Sequence, residues 1–323
     1  MESVPCPISN SAEFTPWLEV PDRCDASGAV CWQLVKSRAS GLVMLNPRPD
    51  SSEIASHYHE KGYDPHLSGS NAATINEWLL LAARALLLRY RAHLVLGDLQ
   101  KPYDQRTILE IGASTGALLN VFRRNGVPAE NLYGVEPHQP SACYAMEHFH
   151  LPLSPALPES YPVSFDRIIL WHTLEHLHRL HETLDTVAAL LKPEGLLVLA
   201  LPNHSCRGAR VYREHWVAWD APRHLYHFQP QTLSMLLEMH GLSLVRQRAY
   251  APDALYNTLC SEELAAKASG RRFGLCRRIG ALCRGLMESC RGMVDHHEAE
   301  GILYFVTRRP SALSSSVVAT RLS

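Results

Sequence analysis

The chain has 323 residues, a formal net charge of −1, and 46% hydrophobic against 20% charged residues. This size and composition are typical of one large globular domain with an appended subdomain. The near-neutral charge argues against a nucleic-acid partner, because such binding needs a basic surface. The nine cysteines lack paired spacing, which indicates reduced thiols, and the N-terminus lacks a signal-peptide pattern. We therefore expect a cytoplasmic protein.

The first 104 residues divide into two parts. Residues 1–70 are rich in Pro, Ser and Asp and have few periodic runs, so they are expected to form an N-terminal extension. In residues 71–104 the apolar side chains recur at helical spacing, at Ile75, Leu79, Ala82, Leu86 and Tyr90. This spacing predicts an amphipathic helix ahead of the first core strand.

A strand–turn–helix pattern begins at residue 108. A short apolar run ends in Gly112-Ala-Ser-Thr-Gly116, and a second apolar run after the next helix ends at Glu136. In a βαβ unit, glycines let the backbone approach a nucleoside, and an acid at the tip of the second strand accepts hydrogen bonds from ribose. The spacing differs from the G-x-G-x-x-G of dinucleotide sites, so it favours S-adenosylmethionine over NAD or FAD.

Further strand and helix patterns follow. A weakly marked third strand lies in the Pro-rich stretch 152–162, and stronger apolar runs cover 165–170, 196–201, 242–248 and 301–307. A helix is predicted over 180–191, before the Lys-Pro-Glu-Gly sequence that ends at Gly195. We divide the rest of the chain into a core over 105–250, a helical insert over 251–299, a last strand over 300–309 and a flexible tail over 310–323.

These motifs resemble those of the class I S-adenosylmethionine-dependent methyltransferases, whose first motif reads (E/D)-x-G-x-G-x-G. Ser114 stands at the middle glycine of that motif. The later L-x-E-H, L-K-P-x-G, P-N and P-R-H runs resemble a branch from biosynthetic gene clusters that includes ubiquinone O-methyltransferases. The resemblance covers about residues 41–307. It implies an α/β fold with a doubly wound, mostly parallel seven-stranded sheet whose last strand is antiparallel.

The resemblance also implies the cofactor and its ligands. The cofactor is S-adenosyl-L-methionine, held at strand ends by the first motif, the acid after the second strand and the residues after the fourth. The expected cofactor-binding residues are Glu110, Gly112, Ala113, Ser114, Gly116, Glu136, Pro137, Trp171, His172 and Tyr63.

The same branch carries two C-x-x-C pairs that bind structural zinc. Here the matching positions are Cys6, Ser9, Ser37 and Ser40. A neutral hydroxyl does not replace a thiolate on structural zinc. We therefore expect a metal-free remnant of a zinc ribbon.

The sequence His172-x-x-Glu175-His176 also spells the inverted motif of zinc proteases. That chemistry needs both histidines on one helical face, whereas this motif begins at the tip of a predicted strand. A protease is therefore not expected. Binding of a divalent cation near Glu175 and His176 stays an open alternative, and we assign no metal ligand.

A segment dense in aromatics, His and Arg spans residues 214–228, as expected for a small-molecule pocket. Methyl transfer often needs a base to remove a proton from the acceptor, and histidine is suited to this task. We predict His224 as the base, Arg223 as a residue that orients the substrate, and His176 as a third catalytic residue. The alternative is that His224 and Arg223 only hold the loop.

The helix predicted over 271–293 has an apolar stripe and six arginines. Such a helix can lie on an anionic membrane surface. Peripheral contact with the inner face of the membrane is therefore one interpretation of this helix. Packing on the core or on the partner subunit of a homodimer is the other.

The predicted function is methyl transfer to a small biosynthetic molecule, at a hydroxyl oxygen, by in-line displacement with a histidine base. Two alternatives stay open. One is a nicotinamide-dependent oxidoreductase, since Glu136 suits any ribose. The other is a non-catalytic protein that binds S-adenosylmethionine or acts as a scaffold.

Overall fold

The computed structural model describes residues 1–25, 29–58 and 75–309, with side chains from residue 81 onward in the first α-helix. The tail 310–323, expected to be flexible, lies outside the described residues.

The described chain forms two sheets and a set of flanking helices. The strands are β1 (Phe14–Pro21), β2 (Cys31–Ser37), β3 (Val43–Leu45), β4 (Ile108–Ile111), β5 (Leu132–Val135), β6 (Leu153–Ser154), β7 (Phe165–Trp171), β8 (Leu191–Pro202), β9 (Tyr226–His227), β10 (Leu242–Ala249) and β11 (Gly301–Arg308). The helices are α1 (Ile75–Leu96), α2 (Ala117–Arg124), α3 (Gln139–Phe149), α4 (Leu180–Leu190), α5 (Arg207–Tyr212), α6 (Pro230–Met239), α7 (Pro252–Ala268) and α8 (Leu275–Val294).

The larger sheet has seven strands in the order β10-β11-β8-β7-β4-β5-β6. Pairing is parallel among β6, β5, β4, β7 and β8, and β11 runs antiparallel to both of its neighbours. Every residue of β4 and β7 is buried, as expected for central strands covered by helices on both faces. The predicted doubly wound sheet with an antiparallel last strand is confirmed.

Parallel pairing places the carboxyl ends of five strands at one edge of the sheet. Ile111 at the end of β4 pairs with Val135 and Leu170, and Trp171 at the end of β7 pairs with Ala200. Ligands of open α/β sheets bind at this edge. The loops that follow β4, β5 and β7 therefore meet where the sequence predicts a cofactor.

The smaller sheet has the order β1-β2-β3-β9, all antiparallel. Its first three strands come from the predicted N-terminal extension, but β9 follows β8 of the core and pairs with β3 through Met44 and Tyr226. Arg48 donates to the Tyr226 hydroxyl at 2.7 Å across the same junction. The extension and the loop before α6 therefore form one structural unit.

The four positions of the expected ribbon remnant lie close together. Cys6 Sγ is 3.1 Å from Ser40 Oγ, and Ser9 Oγ is 3.4 Å from Ser37 Oγ. Burial by itself raises the pKa of the Cys6 thiol, but hydrogen bonds from Ser40, Ser9 and Ser37 bring it below its ordinary value. Hydrogen bonds among hydroxyls and one thiol thus join the two turns.

Replacing the three serines together, as Ser9→Cys, Ser37→Cys and Ser40→Cys, tests whether this cluster is a ribbon remnant. We expect one zinc per chain and a Tm higher by about 5–10 °C, because four thiolates bind zinc and binding to the folded state stabilises it. Metal analysis and thermal unfolding measure both. The triple Ser→Ala variant is the control, and absence of zinc from the cysteine variant would contradict the ribbon interpretation.

Among the described residues, no helix is long and apolar enough to cross a membrane. The predicted amphipathic helix before the core is α1, and the insert consists of the two helices α7 and α8 between β10 and β11.

Candidate functional site

The loop after β4 has a left-handed backbone at three positions. Gly112, Ser114 and Gly116 have φ values of 79°, 51° and 67°. Such values suit glycine and cost energy for serine. The loop is held from β5, where the Val135 carbonyl accepts hydrogen bonds from the amides of Gly112 and Ala113, each at 2.9 Å.

Glu136 fixes the same loop from the end of β5. Its Oε2 accepts a hydrogen bond from the Ser114 amide at 2.7 Å, and its Oε1 accepts one from the His138 amide at 2.8 Å. The side chain is almost fully buried. Charge-assisted bonds from amides hold this carboxylate, and its remaining lone pairs can accept further hydrogens.

Gly112 is required for a second reason. A Cβ at this position would lie 2.3 Å from the Thr173 hydroxyl oxygen. The loop after β4 and the loop after β7 therefore approach each other more closely than any side chain at residue 112 permits.

Glu110 and Trp171 contribute buried polar atoms at the ends of β4 and β7. Glu110 Oε2 and Trp171 Nε1 have no hydrogen-bond partner among the described residues. Burial, together with Glu136, raises the pKa of Glu110 to about 8, although Arg91 opposes this. Arg91 of α1 lies 4.8 Å from the centre of the Trp171 ring and donates to the Tyr250 hydroxyl. Unsatisfied buried groups at this edge suit a bound ligand.

His172 connects the loop after β7 to the helical insert. Its backbone is left-handed, with φ of 49°. Its Nδ1 lies 3.5 Å from Glu175 Oε1 and its Nε2 lies 3.2 Å from Asp253 Oδ2, at the start of α7. Burial by itself lowers the pKa of His172, but the two carboxylates outweigh it and raise the pKa to about 10.

The raised pKa of His172 predicts a specific pH dependence of stability. The ordinary histidine pKa is about 6.5, so the stabilisation is complete below that pH and is lost as pH rises toward about 10. We expect His172→Gln to lower the free energy of unfolding by about 2 kcal/mol near pH 6, a value reduced for partial exposure of the ring. Urea unfolding across this pH range measures it.

The exposed His93→Gln is the control and should behave like the wild type. A stability difference between wild type and His172→Gln that grew with rising pH would contradict the assignment.

Glu175, His176 and His224 converge beside this ion pair. One potential ligand atom from each lies within 4.8 Å of the others, and the two imidazole rings meet edge to face at 4.6 Å. Glu175 is fully buried, and neither of its oxygens has a hydrogen-bond partner among the described residues. The three groups are close enough to share a cation or a proton.

Backbone carbonyls orient both imidazoles. His224 Nδ1 lies 2.8 Å from the Ala218 carbonyl oxygen, and His176 Nδ1 lies 2.9 Å from the Arg223 carbonyl oxygen. A carbonyl accepts, so each Nδ1 carries a proton and donates it to the backbone. Burial, then the neighbouring His176, brings the pKa of His224 well below its ordinary value. At neutral pH His224 is therefore an uncharged proton acceptor.

The charge of Glu175 opposes that effect. Burial raises the pKa of this carboxyl, but His172, His176 and His224 outweigh it and bring the pKa below its ordinary value. An ionised carboxylate at Glu175 would stabilise an imidazolium next to it, as buried carboxylates do in sites that use a histidine base.

Residues 79–247, just over half of the chain, match the family described as methyltransferase domain. The chain belongs to this family. The expected enzyme class, a methyltransferase that uses S-adenosylmethionine, is thereby confirmed. No curated protein matches the chain.

Solved methyltransferase structures resemble this methyltransferase at low identity. Magnesium protoporphyrin IX methyltransferase from Synechocystis PCC 6803, solved with bound SAH, is 11% identical, with 80% of this chain and 100% of that one covered and a TM-score of 0.48. Geranyl diphosphate C-methyltransferase from Streptomyces coelicolor A3(2) is 13% identical over 76% and 89%, with a TM-score of 0.47. The CcbJ methyltransferase from Streptomyces caelestis is 15% identical over 69% and 90%, with a TM-score of 0.44.

The remaining predicted site residues of the methyltransferase lie in different environments. Arg223 is fully buried and forms ion pairs with Asp220 at 2.9 Å and Asp22 at 3.2 Å. Its guanidinium therefore fixes the N-terminal sheet against the loop that carries His224. Pro137 is exposed directly after Glu136. Tyr63 lies outside the described residues.

The fold brings three further residues to the site. Glu175 stands next to His176 in the L-x-E-H motif, and the sequence left open a cation near it without assigning it a role. Asp253 and Arg91 had no such signal. They come from the insert and from α1, and only the packing of these helices places them beside His172 and Trp171.

Proposed function

We propose that this methyltransferase transfers the methyl group of S-adenosylmethionine to a hydroxyl oxygen of a small biosynthetic molecule, with a histidine as the base. The observation that carries the proposal is the placement of two groups at one edge of the sheet. The loop clamped by Glu136 lies at the ends of β4 and β5, and the cluster of Glu175, His176 and His224 lies after β7 and β8.

The residues around the loop clamped by Glu136 fit the cofactor. In this proposal the Glu136 carboxylate accepts the ribose hydroxyls, and the left-handed loop at Ser114 lets the backbone approach the ligand. Glu110 and Trp171 supply buried polar atoms at the same edge. The cofactor, when bound, supplies an electrophilic methyl group on a sulfonium.

Glu136→Ala tests the cofactor site. We expect the Kd for S-adenosylmethionine to rise about 100-fold, or about 3 kcal/mol, because the variant removes an acceptor of ribose hydroxyls and releases the Ser114 amide. Titration calorimetry measures the change, and the exposed Glu130→Ala is the matched control. Tight binding of NADH by the wild type in place of S-adenosylmethionine would sink the proposal and favour an oxidoreductase.

In this proposal the cluster of Glu175, His176 and His224 supplies the base. His224 Nε2 takes the proton of the acceptor hydroxyl as the oxygen forms its bond to the methyl carbon and the carbon–sulfur bond breaks. Glu175 then stabilises the imidazolium. His176 lies beside His224 in the same cluster, and Arg223 acts by holding the loop through Asp220 and Asp22.

His224→Ala tests this role. We expect turnover to fall about 10²–10⁴-fold, the usual effect of losing a general base, with little change in the Kd for S-adenosylmethionine. Formation of S-adenosylhomocysteine with a panel of sugars, phenols and polyketides measures turnover. The exposed His148→Ala is the control. Unchanged turnover in His224→Ala would exclude this residue as the base, and no turnover by the wild type with any acceptor would favour a non-catalytic binding protein.

A further inference from the structure

The insert between β10 and β11 ends in a helix with an unusual exposed face. Ten exposed residues of α8 have an aliphatic, thioether or thiol side chain: Leu275, Cys276, Ile279, Leu282, Cys283, Leu286, Met287, Cys290, Met293 and Val294. Around an ideal helix they occupy one continuous arc of about 140°. The exposed fraction reaches 72% at Leu275 and 92% at Val294. We refer to these ten residues as the apolar face.

Packing on the opposite side holds this face outward. The buried side of α8 consists of Ala281, Gly285, Glu288, Ser289 and Gly292. A Cβ at Gly285 would lie 3.0 Å from the Leu255 Cα of α7, and a Cβ at Gly292 would lie 2.9 Å from the Ala299 Cα. Such close approach fixes the rotation of α8 about its axis. The packing of α8 on α7 and Ala299 therefore keeps the apolar face on the outside of the folded protein.

Arginines border the apolar face on both sides. Arg277, Arg284 and Arg291 follow one edge, and Arg278 lies at the other. Arg277 and Arg284 form ion pairs with Glu262, and Arg291 with Glu288, whereas Arg271, Arg272 and Arg278 have no acidic partner within the described residues. Residues 271–294 contain six arginines and one glutamate in a chain of net charge −1. This cationic border matches an anionic surface.

We propose that the apolar face of α8 binds peripherally to an anionic lipid surface, with the helix lying in the plane of the interface. The helix is about 30 Å long, its thiols are small apolar groups, and its arginines can reach the phosphates from both edges. A second copy of the chain fits less well, because two-fold pairing on this face brings arginine borders against each other. The proposal goes beyond methyl transfer and does not require it.

Co-sedimentation of the full-length protein with vesicles tests the proposal. We expect binding to phosphatidylcholine vesicles that contain phosphatidylglycerol, and little binding to phosphatidylcholine alone. Ile279→Glu with Leu286→Glu should lower the partition coefficient at least about tenfold, because it places two charges in the apolar contact. Arg278→Gln with Arg291→Gln should lower it about fivefold for each arginine, and added salt should act in the same direction.

A matched control carries the same change on other helices. Met146→Glu with Met239→Glu replaces two exposed methionines of α3 and α6 and should bind as the wild type does. All four replaced apolar residues are exposed, so folding is expected to survive, and circular dichroism checks it. Failure of the wild type to bind, or equal binding by the Ile279→Glu, Leu286→Glu variant, would overturn the proposal. So would a dimer in sedimentation equilibrium that this variant dissociates without any vesicle binding by the wild type.

Discussion

The site depends on one interaction, the clamp between the Glu136 carboxylate and the loop after β4. The left-handed backbone at Ser114 costs energy for a residue with a Cβ, and the bond from its amide to Glu136 offsets that cost. Because β4 and β5 pair in parallel, the acid and the loop end at the same level of the sheet. One carboxylate therefore shapes the loop at the edge where we propose that the ribose binds.

After β7, a single buried carboxylate lies among the histidines to which we assign the base. Glu175 is surrounded by three imidazoles. Asp253 holds His172 as a cation, and backbone carbonyls orient His176 and His224 through their Nδ1 atoms. The cation makes burial of the carboxylate tolerable, and the carboxylate in turn favours protonation of its neighbours. The insert thus reaches the site through Asp253 at the start of α7, while α8 presents its apolar face to the exterior.

The sequence was sufficient to predict the strands and helices of the core and to group residues that belong to one short motif. Apolar runs and glycine turns predicted the strands and helices of the seven-stranded sheet. The roles assigned to the loop, Glu136, His176 and His224 stay predictions. The prediction was less informative for Arg223. Its neighbours in sequence suggested substrate contact, but Asp22, two hundred residues away, engages it in a buried ion pair.

By itself, the sequence determined the elements and the order in which they follow one another, because hydrophobic periodicity and turn residues act over short stretches. Tertiary structure alone decided which distant groups meet. The pairing of β3 with the two-residue strand β9, the contact of Asp253 with His172, and the outward face of α8 all depend on packing between segments far apart in the chain. Local sequence patterns do not predict such contacts, because the free energy that stabilises them comes from the burial of apolar surfaces of distant segments against each other.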